Sequence, residues 1–186
     1  MKNIQTTLSA IALLFGLTCV PVAQAAPPQT QAAGDLIYLG VKGGFLTNDA
    51  SGADYAINLG VYGGYNILGD KARYPKNLGG GTLSIEGELS LSAIRGDAGP
   101  DANWKSTVLA GYAAYRFPLQ NSLFLKGKAG LYWADTSVDT PANWDGTDSG
   151  LSLGVGLGWK VGSGDMEAEI TFLGSDLAFF SLGYIF

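Results

Sequence analysis

From Ile37 onward apolar and polar residues alternate. "IYLGVKGGF" places Ile37, Leu39, Val41, Gly43 and Phe45 on one face and Tyr38, Gly40, Lys42 and Gly44 on the other. "INLGVYGGY" repeats the arrangement with Ile57, Leu59, Val61, Gly63 and Tyr65 against Asn58, Gly60, Tyr62 and Gly64. The same alternation runs through "TLSIEGELSLS", "VLAGYAAYRF", "LFLKGKAGLYW", "LSLGVGLGWKV", "MEAEITF" and "AFFSLGYIF". A repeat of two is the mark of a strand. Eight strands are predicted, each of roughly 8–12 residues, the length of a tilted strand that crosses a bilayer.

Four connections are long: "LTNDASGAD", "LGDKARYPKNLGG", "IRGDAGPDANWK" and "DTSVDTPANWDGTDSG". Three are tight: "PLQN", "GSGD" and "GSD". The order predicts an all-β chain, an eight-stranded antiparallel up-and-down transmembrane barrel. A soluble barrel alternates too, with its apolar face inward. Three features put the apolar face outward here. Glu86, Glu88, Glu167 and Glu169 fall opposite the apolar face, as do Lys42, Arg116, Lys126, Lys128 and Lys160. These nine residues are the expected interior charge network, since opposed charges in a closed lumen must pair. A single Lys or Arg facing lipid at mid-depth costs about 2–4 kcal/mol. Gly40, Gly44, Gly60, Gly64, Gly154, Gly156 and Gly158 share that face, as a narrow interior requires. With the N-terminus on the periplasmic side, the apolar-face aromatics form two girdles. Phe45, Trp133 and Phe172 mark the outer one; Tyr65, Tyr115, Phe117 and Trp159 mark the inner one, with Tyr184 and Phe186 beside them.

The outer connections are acidic, with Asp49, Asp54, Asp97, Asp101, Asp135, Asp139, Asp145, Asp148 and Asp176 against Arg95 and Lys105. The first inner turn carries Lys71, Arg73 and Lys76, placed either at lipid headgroups or simply in solvent. The third outer connection sets Trp144 among acids. Asp there serves ordinary turn chemistry, or holds a hard cation through oxygen ligands, although the spacing is not that of an EF-hand. Trp144 itself reads as a contact residue. No helix follows any Gly cluster, so none is a phosphate cradle.

Composition narrows the chemistry. The 186 residues carry a formal net charge of -5, 28 Gly, one Cys and no His. Without His there is no Ser-His-Asp or Cys-His catalysis and no His metal ligand. No catalytic, cofactor or metal site is expected, and no enzyme activity. Lys2, the apolar run "LSAIALLFGLTCV" and "AQA" at Ala23–Ala25 predict a secretory signal peptide over 1–25, which contains Cys19. A flexible N-terminal tail is expected over 26–34, and the barrel over 35–186.

"IYLGVKGGF", "NLGVYGGYNI", "YRFPLQNSLFLKGKAGLYW" and "SLGYIF" together resemble the small eight-stranded outer-membrane β-barrel family of the OmpA/OmpX type. The resemblance implies residence in the outer membrane of a Gram-negative bacterium. It implies a terminal strand read by the barrel-assembly machinery, here Leu182, Tyr184 and Phe186. It implies outer-membrane lipids, including lipopolysaccharide, as surroundings, a monomer, and no nucleic acid. The function implied is a non-enzymatic structural envelope component, with adhesion or ligand contact through acidic outer loops. Two alternatives stay open: a narrow pore gated by the interior charges, and a lipid-modifying enzyme. A static charge network that fills the lumen is the plainer account of the nine charges.

Overall fold

The computed structural model describes residues 37–48, 53–68, 81–99, 102–120, 122–139 and 144–186. The expected signal peptide and tail, together with Asp49, Lys71, Arg73, Lys76 and Asp101, lie outside the described residues. Nine strands follow one another: β1 (Ile37–Asn48), β2 (Ala56–Leu68), β3 (Thr82–Ile94), β4 (Gly96–Gly99), β5 (Ala102–Gln120), β6 (Leu123–Asp139), β7 (Trp144–Val161), β8 (Gly164–Leu173) and β9 (Leu177–Ile185). Consecutive strands pair antiparallel, except β3 with β4. β3 and β4 lie end to end along β5, broken at Arg95, so nine segments build eight staves. β1 pairs with β9, from Gly40↔Ile185 to Asn48↔Leu177, and closes the barrel. The fold is therefore a closed, eight-stranded, antiparallel β-barrel. Closure leaves no open edge at membrane depth, where an unpaired backbone group has no water to bond.

The alternation holds around the whole wall. On β7, Leu151, Leu153, Val155 and Leu157 are exposed, while Ser152, Gly154, Gly156 and Gly158 are buried. Outward exposure of large apolar residues, up to 75% for Leu151, is what a lipid-facing band requires. Two glycines have structural reasons that the alternation alone does not supply. At Gly44 an added Cβ would sit 1.9 Å from the Phe180 carbonyl oxygen, so the closing seam admits nothing larger. Gly174 takes φ +63 and turns β8 tightly into β9.

Two segments expected as loops are strand. Residues 94–105 contain β4 and the start of β5, with Gly96↔Trp104 in register. Residues 135–150 contain the ends of β6 and β7, with Thr136↔Gly146 and Ser137↔Asp145 paired. The cause is local. Above the membrane an outward face has no lipid to meet, so the hydrophobic alternation stops. The ladder continues regardless, carried by Thr, Ser, Val and Trp.

Candidate functional site

The inward charged side chains of the lower lumen come from alternation on five staves. β1 supplies Lys42, β3 supplies Glu86 and Glu88, β5 supplies Arg116, β6 supplies Lys126 and Lys128, and β8 supplies Glu167 and Glu169. The lysines and glutamates are all at most 7% exposed. Lys42 Nζ reaches Glu88 Oε1 at 2.6 Å and Glu169 Oε1 at 3.3 Å. Lys126 Nζ reaches Glu86, Glu167 and Glu169 at 2.9, 3.0 and 3.2 Å. Lys128 Nζ reaches Glu88 at 3.0 Å and Glu169 at 2.6 Å. Arg116 spans Glu86 and Glu167 with Nη2 and Nε, at 2.7 and 2.8 Å. Four carboxylates thus meet four cations, and the cluster is neutral.

Hydroxyls and rings complete the layer. Tyr38 donates to Glu86, Tyr62 to Glu167 at 3.3 Å, and Thr171 to Glu169 at 2.8 Å. Lys128 sits 4.0 Å from the Tyr112 ring centroid and Arg116 4.4 Å from that of Tyr38, placing cations over aromatic faces. The space left among these groups is about 10 Å³, room for one water at most. Lys160 is not brought into the cluster. It is exposed at the inner rim, in register with Asp165, because β7 has by then run past the lumen.

The outer half of the lumen is a different material. Leu46, Ala56, Trp104, Val108, Ala110, Tyr112, Tyr132, Ala134, Leu173, Leu177 and Phe179 pack there as one buried cluster. Phe179 and Trp104 are each 1% exposed, and Trp104 Nε1 donates to the Asp54 carbonyl at 2.8 Å. Reading the wall as apolar outside and charged or small inside missed this layer. Continuing the alternation would have found it, since Lys42, Gly44 and Leu46 share one face, as do Glu169, Thr171 and Leu173.

Above it, β5, β6 and β7 rise as a polar sheet. Asp135 accepts from Thr147 Oγ1 at 3.4 Å, Asp139 pairs with Arg95, and Asp148 takes the Tyr132 hydroxyl. Among the described residues no group of three or more acidic or thiol side chains is arranged to hold a metal. The side chain of Trp144 is not among those described.

Tyr65, Phe117, Trp133 and Phe172 are exposed on the outer wall, and Phe45, Tyr115 and Trp159 are half-buried there. Tyr55 packs edge-on against Phe45 at 5.0 Å and adds an outer ring that strand alternation did not include. Leu182 and Tyr184 line the lipid face of β9, and Phe186 follows directly after it. Tyr184 and Phe186 meet edge-on at 5.3 Å, and the Phe186 N–H donates to the Leu39 carbonyl at 3.0 Å.

The family model described as the outer membrane protein beta-barrel domain matches residues 10–178. Among solved structures the chain is similar to Neisserial surface protein A, with a TM-score of 0.57, 16% identity and coverage of 80% of this chain and 94% of that one. It is similar to the N-terminal barrel of Pseudomonas aeruginosa OprF, with a TM-score of 0.55, 14% identity and coverage of 80% and 96%. It is similar to the attachment invasion locus protein Ail of Yersinia pestis, with a TM-score of 0.53, 14% identity and coverage of 81% and 96%. No curated protein sequence matches it.

Proposed function

The chain belongs to the outer membrane protein β-barrel domain family, and from that premise we propose a non-enzymatic structural envelope protein whose working surface is its outer hairpin sheet. It is an outer-membrane protein of a Gram-negative cell and crosses the membrane by strands. The observation that carries the proposal is the continuation of β6 and β7 beyond the rim. β7 runs seven residues, Trp144 to Gly150, past Leu151, whose carbonyl still takes the Gly174 N–H. At about 3.4 Å per residue that is roughly 24 Å of paired strand. Apart from Trp144 it is built of glycine, polar and acidic residues, and the lumen beneath it is filled. A protein with little room inside and a built sheet outside acts through that sheet.

The remaining roles follow the same reading. Residues 1–25 direct export and are removed, 26–34 form a tail, and 35–186 form the barrel. The eight-residue charge cluster fills and fixes the lower lumen. Phe45, Tyr65, Tyr115, Phe117, Trp133, Trp159 and Phe172 seat the wall in lipid, among them lipopolysaccharide. Leu182, Tyr184 and Phe186 present the stripe that the assembly machinery reads. The absence of His removes the commonest hydrolytic centres.

The test is deletion of residues 136–149 with a short Asn-Gly turn in their place. Cells carrying the variant should keep a heat-modifiable barrel in the outer membrane and lose surface contact, read as binding to immobilised polylysine. Unchanged binding overturns the reading. A second reading, the gated pore, is favoured by the shared pairing of Lys42, Lys126 and Lys128, each within reach of two or more carboxylates. Large steady conductance of the parent protein in planar bilayers would decide for it.

A further inference from the structure

We propose that the lipid-facing wall between β3 and β8 holds one ordered acyl chain of an outer-leaflet lipid, laid in a groove of its own. The site lies in the membrane-spanning wall and does not depend on what the projecting sheet meets.

The outer wall is not uniformly filled. On β1 and β2 its glycines are roofed by neighbours. A Cβ at Gly43 would meet Leu59 Cδ2 at 3.0 Å, and one at Gly63 would meet Leu39 Cδ2 at 2.8 Å. On β3, β5 and β6 the outward glycines are bare. Nothing lies within 4 Å of where a Cβ would stand at Gly87, Gly111 or Gly127. Gly87 and Gly111 are cross-strand partners, and Ala113 pairs with Ala129 beside them. The hollow is a groove of about 620 Å³, with Ala113, Gly127 and Ala129 on its floor and Tyr115, Leu153 and Phe172 on its sides. That volume is in the range of sites that enclose a small ligand.

The register gives the groove a course. Ile85, Ala113, Ala129, Leu153 and Phe172 are successive cross-strand neighbours on five staves. Four interstrand steps of about 4.8 Å make roughly 19 Å. Phe172 stands just before the β8–β9 turn at the outer rim, whereas Ile85 is the fourth residue of β3, near the inner rim. The row therefore descends from the outer side. With strands tilted about 45°, a line across them drops roughly 13 Å, most of the ~15 Å depth of one leaflet.

The surroundings fix the chemistry of the occupant. This wall stands in the outer membrane, so what meets it is apolar. Lipid tails are as apolar as leucine, so burial alone gains nothing there and shape decides. An unfilled groove forfeits dispersion contacts along its floor. A second copy meeting this face about a twofold axis would set hollow against hollow. A hydrocarbon chain bends to follow the slope. Anchored in the headgroup zone above, it enters beside Phe172 and lies down the row toward Ile85.

The experiment uses the refolded full barrel in phosphatidylcholine nanodiscs. The probes are two phosphatidylcholines whose palmitoyl chain carries a diazirine, near the carbonyl end in one and at the methyl end in the other. After photolysis the labelled peptides are mapped by mass spectrometry. The expected result is labelling of the groove at least tenfold above that of the β1–β2 wall. The carbonyl-end probe should mark Leu153 and Phe172, and the methyl-end probe Ile85 and Ala113. Gly127→Leu combined with Ala129→Leu fills the floor. It should lower groove labelling at least tenfold, leave the β1–β2 wall unchanged and keep heat-modifiability. Ala113→Leu should act in the same direction, and takes its place where the double variant fails to fold. Equal labelling of the two walls, or unchanged labelling of the filled groove, overturns the site. The carbonyl-end probe at Ile85 with the methyl-end probe at Phe172 overturns the outer-leaflet source. A covalent dimer of the parent joined through this wall and lost in the filled variant puts a second copy there and overturns the lipid.

Discussion

The lumen has two halves, and they are closed by opposite means. The inner half is closed by charges that cancel, four carboxylates against four cations. The outer half is closed by apolar side chains around Phe179 and Trp104. Both exclude water, but their energies have different forms. An ionic layer is a set of mutual dependencies. Its net contribution over a well-packed apolar layer is small, while loss of one member leaves an unpaired buried charge. An apolar layer is nearly a sum of independent burials, each lost by its own volume. The ionic half therefore specifies which staves stand opposite one another, and the apolar half supplies cohesion and an insulating cap.

That contrast is sharpest at Glu169, which receives Lys42, Lys126 and Lys128 together. Glu169→Leu should cost about 3–5 kcal/mol, measured by urea unfolding in lipid vesicles. Adding Lys128→Met should restore part of the loss, so the double variant costs less than the two singles summed. Simple additivity would show the two halves to be alike. Next in size is Leu173→Ala in the outer half, at about 2–4 kcal/mol. Combined with Glu169→Leu it should add, provided the two layers are independent; a coupling of more than about 0.5 kcal/mol would join them into one unit. The smallest effect on the folded state is expected outside the lumen. Phe186 is 72% exposed on the lipid side. Its deletion should change stability by less than about 1 kcal/mol and slow insertion catalysed by the assembly machinery severalfold. Equal loss in stability and insertion would make Phe186 a packing residue only.

Much of this was legible in the sequence, for a plain reason. In lipid the outward face must be apolar at every turn of the strand, so Leu39, Val41, Leu151 and Leu153 announce both strand and orientation. Lys42, Glu86, Lys126 and Glu169 were legible as inward because no charge is tolerated on the other face. Three things were not legible. The apolar half was hidden because Leu46 and Leu173 stand at the ends of alternating runs, where an apolar residue also reads as the start of a loop. The projecting strands were hidden because solvent accepts Thr, Asp and Ser on either face. Lys160 read as interior by parity, but parity says which side of the wall a residue is on, not whether lumen remains beside it.

One feature of the rim gives the molecule a direction. β8 turns into β9 through Gly174–Asp176 close to the membrane, while β6 and β7 continue upward. A cylinder with an even rim looks the same to a neighbour arriving from any bearing. This one has a low side and a tall side, so it has a front. Whatever approaches along the cell surface meets the barrel's bare shoulder from one bearing and the full sheet from another. Rotation of a single copy about the membrane normal then becomes a search motion, and crowding that arrests that rotation fixes which neighbours it can address.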